Sequence, residues 1–145
     1  MSQPTVRQAE PADLDRITKL LESASLPTLG VAEHIQHFLV AENAGTIIGV
    51  IGLEVYENTA LLRSAAVSPG LQHKGIGSLL FNRNLEEARH LGVRRLILLT
   101  NTAEEYFARK GFKKIDQKSV AGSITTSVEF TGACPSHAVC MELHL

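Results

Sequence analysis

An α/β domain built on a mixed seven-stranded sheet is the fold class this sequence predicts, and three observations carry that expectation. Three β-rich runs follow one another between Phe38 and Val67 with only short turns separating them. A glycine-rich turn, Ser68 to Gly77, then joins the last run directly to an amphipathic stretch. Beyond it, strand-like and helix-like runs alternate, so the order reads β-α-α-β-β-β-α-β-α-β-β.

The elements follow in turn. Thr5 to Gln8 reads as an opening strand. Pro11 suits the first turn of a helix, where its missing N–H costs nothing, and Glu10 and Asp13 favour that end. Leu14, Ile17, Leu20 and Leu21 keep helical spacing, so the helix extends to Ser23. Ser25 to Gly30 is a loop and Val31 to Gln36 a second short helix. Phe38 to Glu42, Thr46 to Tyr56 and Thr59 to Val67 are strands, joined by turns at Asn43–Gly45 and Glu57–Asn58 as an antiparallel meander. Leu79, Leu80, Leu85, Ala88 and Leu91 mark one helical face, which Gly92 ends. Arg95 to Thr100 is a buried strand. Thr102 to Lys110 reads as a helix capped by Thr102, with Glu105 at the capping-box position and Gly111 as its stop. Phe112 to Ile115 is a strand, Ser119 to Ser127 a short helical stretch, and Ala138 to Leu145 a closing strand.

Composition narrows the function classes. The 145 residues are 44% hydrophobic and 20% charged, the balance of one globular domain. A net charge of -1 gives no general pull toward nucleic acid or an anionic membrane. The chain has no run of 18 apolar residues, and Met1-Ser-Gln-Pro lacks signal-peptide features, so a cytoplasmic protein is expected. Its two cysteines, Cys134 and Cys140, are expected as thiols, and no residue set has the spacing of a structural metal site.

The chemistry concentrates in Val67-Ser-Pro-Gly-Leu-Gln72-His-Lys74-Gly75-Ile76-Gly77-Ser78. A turn that opens into a helix leaves N–H groups unpaired at the positive end of the dipole. Gly75 and Gly77 have no Cβ, so a phosphate can approach that backbone closely. A dinucleotide fingerprint is excluded by Leu80 at the third glycine position, and no Walker loop is present.

The segment resembles the acyl-CoA pyrophosphate loop of the GNAT N-acetyltransferases, Arg/Gln-x-x-Gly-x-Gly/Ala. Two further motifs, Arg7-x-Ala-x-Pro-x-Asp13 and Ala103-Glu-Glu-Tyr-Phe-Ala-Arg-Lys-Gly111-Phe112, stand in the order and spacing of that family over nearly the whole chain. The resemblance implies a mostly antiparallel seven-stranded sheet with about four helices, and acetyl-CoA as co-substrate. It carries Gln72, Lys74, Gly75, Ile76, Gly77 and Ser78 over as the pyrophosphate loop. It has Ala66 and Val67 pairing with the pantetheine arm, and Asn101 near the thioester. The tyrosine that protonates the departing thiolate in many relatives is replaced here by Phe107. Tyr106 lies one residue earlier, roughly 100° around the helix.

On the acceptor side, Leu62-Arg63-Ser64 and Leu96 to Thr100 are similar to the N-acetylglutamate synthase branch. A guanidinium within an apolar strand must be paired. The resemblance implies that Arg63, with Ser64 beside it, forks onto an acceptor carboxylate; an ion pair with Glu54 or Glu57 is the structural alternative. Leu29-Gly30-Val31, Glu54-Val-Tyr56 and Glu129-Phe130…Cys134-Pro135 are similar to small members associated with arsenic resistance, in which Cys134 could bind trivalent arsenic. Glu54 is the expected base for the acceptor ammonium, with His34 and His37 as runners-up near the acceptor. The expected partner is a small-molecule amine, and a homodimer is compatible with the family. A protein or peptide acetyltransferase and a non-catalytic acyl-CoA or arsenical sensor are the competing readings.

Overall fold

The computed structural model describes residues 3–133 and 138–145. Seven strands form one sheet: β1 (Thr5–Gln8), β2 (Phe38–Asn43), β3 (Thr46–Tyr56), β4 (Thr59–Val67), β5 (Arg95–Thr100), β6 (Lys113–Ile115) and β7 (Val139–His144). Their spatial order is β1-β2-β3-β4-β5-β7-β6. Neighbours run antiparallel except β4 and β5, which are parallel. The helices are α1 (Leu14–Ser23), α2 (Val31–His34), α3 (Ile76–His90) and α4 (Glu104–Arg109).

Alternation along the strands feeds two faces. Leu39 and Ala41 of β2 enter a core beneath α3 and α4 that includes Leu80, Phe81, Leu96, Phe107 and Met141. Phe38 and Val40 point the other way, into a core beneath α1 and α2 with Ile17, Leu21 and Val50. Because both sheet faces are covered, β3 reads as a continuous apolar run. Leu61, Ile97 and Cys140 extend the second face under residues 117–126, where Val120 and Ile124 close over them.

The opening motif has a mechanical role. Arg7 forks onto Asp13, with Nη1 donating to Oδ2 at 2.8 Å and Nη2 to Oδ1 at 3.0 Å, and also donates to Glu42 of β2. Asp13 Oδ2 accepts the Glu10 N–H at 2.8 Å, completing a capping box around the 3-10 turn Pro11–Asp13. One buried carboxylate thus ties β1, β2 and the start of α1. The Arg7 hydrogen bonds hold its pKa at about 2, against the opposing effect of burial.

Four elements differ from the sequence expectation. Thr102 caps nothing and Glu105 forms no capping box: α4 starts at Glu104, and the Ala103 N–H donates instead to Thr100 Oγ1 at 3.0 Å. The hydroxyl at the end of β5 takes the capping role, which shortens the helix. Strand β6 starts at Lys113 because the Phe112 N–H is spent on Phe107 O at 3.0 Å, closing α4. The Val31–Gln36 helix divides into α2 and the 3-10 turn Ile35–His37. Residues 117–126 form two 3-10 turns, Gln117–Ser119 and Ser123–Thr126, rather than one helix.

Asp13→Asn is expected to lower stability at pH 7 by about 1.5–3 kcal/mol, the range for hydrogen bonds to a charged group. Since the folded pKa is depressed, this contribution is full above the unfolded value of 3.8 and is lost as pH falls toward about 2. Urea unfolding of both proteins at pH 7 and pH 3 tests it. An equal difference at both pH values would remove the assignment.

Candidate functional site

The parallel pairing of β4 with β5 lasts three residues, Thr59↔Arg95, Ala60↔Leu96 and Leu61↔Ile97. Beyond it, β4 stays on β3 as far as Val67, and β5 stays on β7 as far as Thr100. The two strands therefore diverge and present unpaired edges to each other. A cavity of about 910 Å³ occupies this gap, walled by Ser64–Val67 on one side and Leu98–Asn101 on the other. Unpaired backbone groups need partners, and an extended amide-bearing ligand supplies them as an added strand would.

A β-bulge helps to open the gap. Val50 faces Ala66 and Gly52 faces Arg63, so Ile51 alone opposes both Ser64 and Ala65. Ser64 takes φ 60°, an unfavourable conformation for a residue with a side chain. The Ser68 N–H donates to Ile48 O on β3 at 2.8 Å, so the N–H of Val67, one residue earlier on the pleated strand, points toward the gap.

At one end lies the glycine loop. The Leu71 N–H closes a turn onto Ser68 O at 3.0 Å, and Gln72 Nε2 donates to Val67 O at 3.4 Å. Gly75 is the N-cap of α3 with φ 85°, a left-handed conformation that glycine adopts without strain. The first intrahelical bond runs from Leu79 N–H to Gly75 O, leaving the N–H groups of Ile76, Gly77 and Ser78 without helical partners. No acidic residue stands in the first turn of α3. Gln72, Gly75, Gly77 and Ser78 line the cavity. Lys74 is exposed and does not, and the Ile76 side chain is in the core, so only its backbone can serve the loop.

Tyr106 lines the cavity, its hydroxyl 3.7 Å from where a Cβ on Gly77 would lie. Phe107 is buried, with ring centroids 6.4 Å from Phe81 and 5.5 Å from Phe112. Asn101 lines the rim of the same cavity.

At the other end Arg63, Ser64 and Glu129 meet the loop residues Leu26 and Pro27. The Arg63 side chain is fully buried and all three of its nitrogens are engaged. Nη1 donates to Glu54 Oε2 at 2.7 Å, Nε to Ser64 Oγ at 3.0 Å with Glu129 Oε2 at 3.3 Å, and Nη2 to Pro27 O at 3.3 Å. Of the two carboxylates offered for Arg63 by the sequence, Glu54 is the partner and Glu57 is not. Glu54 does not line the cavity. Its carboxylate also accepts from the Tyr56 hydroxyl and lies 3.6 Å from His34 Nε2. Burial would raise its pKa, but hydrogen bonds from Tyr56, Ser127 and Arg63 outweigh that and hold it low. Glu54 thus faces Arg63, Tyr56 and His34 rather than the cavity. The same burial, with Glu54 beside it, pushes the Tyr56 phenol up to about 12.

His37 is not brought to the cavity. It lies on the Ile35–His37 turn within the influence of Glu87 and His34, and burial lowers its pKa. Cys134 lies outside the described residues. Cys140 is buried in the core, and burial pushes its thiol up to about 11, so it offers no thiolate to a soft metal. Sequence reasoning met Glu129 only within a family-like motif and missed its place in the site, since it sits on the π-helical turn Glu129–Ala133 and reaches β4 only through tertiary folding. It missed Lys110 for the same reason: Nζ donates to Ser78 Oγ at 3.1 Å, across 32 positions of chain.

Comparison with known proteins places this arrangement. The acetyltransferase (GNAT) domain family matches residues 34–114. The amino-acid acetyltransferase of Mycobacterium tuberculosis is 32% identical over 94% of this chain and 80% of that protein. An uncharacterised N-acetyltransferase of Chlorobaculum tepidum is 29% identical over 95% of this chain and 92% of that protein. A Mycobacterium tuberculosis protein solved in complex with CoA superposes with a TM-score of 0.82 at 28% identity, over 98% of this chain and 99% of that one. The N-acetylglutamate synthase of Neisseria gonorrhoeae, complexed with coenzyme A and N-acetyl-glutamate, shares the fold with a TM-score of 0.84 at 24% identity. That match takes in the whole of this chain and 36% of that longer one.

Glu54→Gln should cost about 3–5 kcal/mol of stability, because it leaves a buried guanidinium without its nearest partner. Chemical denaturation measures this directly. A loss below about 1 kcal/mol, the worth of an exposed pair, would show that Glu54 does not hold Arg63.

Proposed function

We propose a small amino acid or glutamate-like compound as the acceptor of this chain, which belongs to the GNAT acetyltransferase family and draws its acetyl group from acetyl-CoA. The observation that carries the reading is the Arg63–Glu129 ion pair in the wall of the cavity at the end remote from the glycine loop. An amino acid brings the two charges that such a pair can exchange for, a carboxylate for Arg63 and an ammonium for Glu129. The likeness to an amino-acid acetyltransferase supports the same acceptor class. A peptide acceptor needs an open groove, whereas at this end the cavity is walled by Leu26, Pro27 and Glu129.

In this reading the pyrophosphate rests on the N–H groups of Ile76, Gly77 and Ser78, with Gln72, Lys74 and Gly75 shaping the approach. The pantetheine arm fills the β4–β5 gap along Ala66 and Val67, with Asn101 opposite. The acceptor ammonium gives its proton to Glu129 before attack, since a protonated amine has no lone pair. The nitrogen then bonds to the thioester carbon as the C–S bond breaks, and the Val67 N–H stabilises the carbonyl oxygen. Tyr106, the phenol in the cavity wall, protonates the departing thiolate, and the second proton that the nitrogen loses as it becomes an amide restores the phenol. Glu54 acts through Arg63 by holding it in place. No covalent enzyme intermediate is needed.

Two measurements test this. Gly77→Val puts a branched side chain in the path of the pyrophosphate, and its Cβ meets nothing closer than 3.7 Å in the fold itself. Its affinity for acetyl-CoA should fall about tenfold or more, and calorimetry finding wild-type affinity would refute the loop assignment. Thiol release from acetyl-CoA should be stimulated by free amino acids or glutamate analogues. Turnover with peptides alone would reassign the acceptor, and cofactor binding without turnover would favour a sensor.

A further inference from the structure

Positive charge gathers at the start of α3, and among the described residues neither Lys74 nor Lys110 forms an ion pair there. Three N–H groups there lack helical partners, and the first turn of this 15-residue helix carries no acidic residue. The preceding turn adds Lys74. From α4, Lys110 reaches across so that Nζ donates to Ser78 Oγ at 3.1 Å. An ammonium beside the positive end of a helix dipole is repelled unless an anion lies between them.

The side chain is nevertheless held there. Nζ lies 5.5 Å from the ring centroids of both Phe81 and Tyr106, within range of a cation–π attraction. Its backbone is set by the end of α4, where the Lys110 N–H donates to Phe107 O at 3.0 Å. The half-buried lysine therefore stands over the first turn of α3 beside Ser78, and Ser78 lines the cavity. Neither lysine is itself part of the cavity lining, but Lys74 is exposed whereas Lys110 is held against Ser78, which is part of it.

We infer that Lys110 is the cation that binds the pyrophosphate of acetyl-CoA, closing over it from α4 while the α3 amides hold it from below. The inference rests on reading the glycine loop as the pyrophosphate seat, and it adds a residue from a different element to that seat. An ammonium at this place serves a doubly charged diphosphate better than it serves Ser78, whose hydroxyl is then free to donate to a phosphate oxygen. It makes cofactor affinity depend on the packing of α4 against α3, because the Phe81 and Tyr106 rings orient the lysine. The role is one of binding, so the chemistry of transfer is unchanged by it.

The test uses calorimetry with CoA and with 3′-dephospho-CoA, which keeps the pyrophosphate but lacks the ribose phosphate. Lys110→Met keeps the aliphatic stem against the two rings and removes only the charge; Lys110→Gln is the second variant should the first fold poorly. Affinity for both ligands should fall by the same factor, about tenfold for one charged contact. Lys110→Arg should remain within about threefold of wild type, and rising salt should weaken the wild type more steeply than the methionine variant. A loss seen with CoA but not with 3′-dephospho-CoA would overturn the inference by moving the lysine to the ribose phosphate. Unchanged affinity for both would overturn it as well. Should Gly77→Val lose affinity while Lys110→Met does not, the loop reading stands and the lysine inference alone falls.

Discussion

A parallel strand pair that ends after three residues is the constraint on which the rest of this molecule depends. Every residue of a strand carries an N–H and a C=O, and groups pointing into a buried gap must find partners. The register holds from Thr59 to Leu61 and from Arg95 to Ile97, and then the strands part. The bulge at Ser64–Ala65 turns β4 as it leaves, and the Thr100 hydroxyl starts α4 as soon as β5 ends. What remains is a slot shaped for an extended chain with amide groups. The family's co-substrate, acetyl-CoA, has such an arm.

Charge is distributed along that slot with a clear polarity. At the loop end stand the free helix amides, Lys74 and Lys110. At the other end, the buried Arg63 is balanced by Glu54 behind it and Glu129 beside it. Arg63 also bonds to Pro27 O, so one guanidinium joins β3, β4, the loop before α2 and the turn after residue 126. Gly30 belongs to the same junction. A Cβ there would stand 2.9 Å from Arg63 Nη1, and its φ is 85°. This end of the cavity is thus built from four chain segments around one buried charge.

Much of this was legible in the residues themselves. The opening motif forecast a helix start, and the structure adds that Asp13 also anchors Arg7 from the neighbouring strand. The meander, the glycine loop and α3 follow from patterns of period two and 3.6 and from turn residues, all of them local. Errors fell where a side chain from outside the element decided the outcome, as when Thr100 replaced Thr102 at the start of α4.

The sequence by itself determined the order of elements and the glycine-rich turn that opens α3, because those depend on neighbours a few residues apart. It also determined that Arg63 must be paired, since an isolated charge is too costly in an apolar strand. Only the tertiary structure decided which groups pair with it. The choice of Glu54 over Glu57 turned on β3–β4 register and side-chain direction, and Glu129 and Lys110 reach their places over 66 and 32 positions of chain. Contacts of that span leave no periodic trace, because the chain between them can be spaced in many ways. They are specified by the packing of whole elements, and in this protein that packing governs the chemistry at both ends of the cavity.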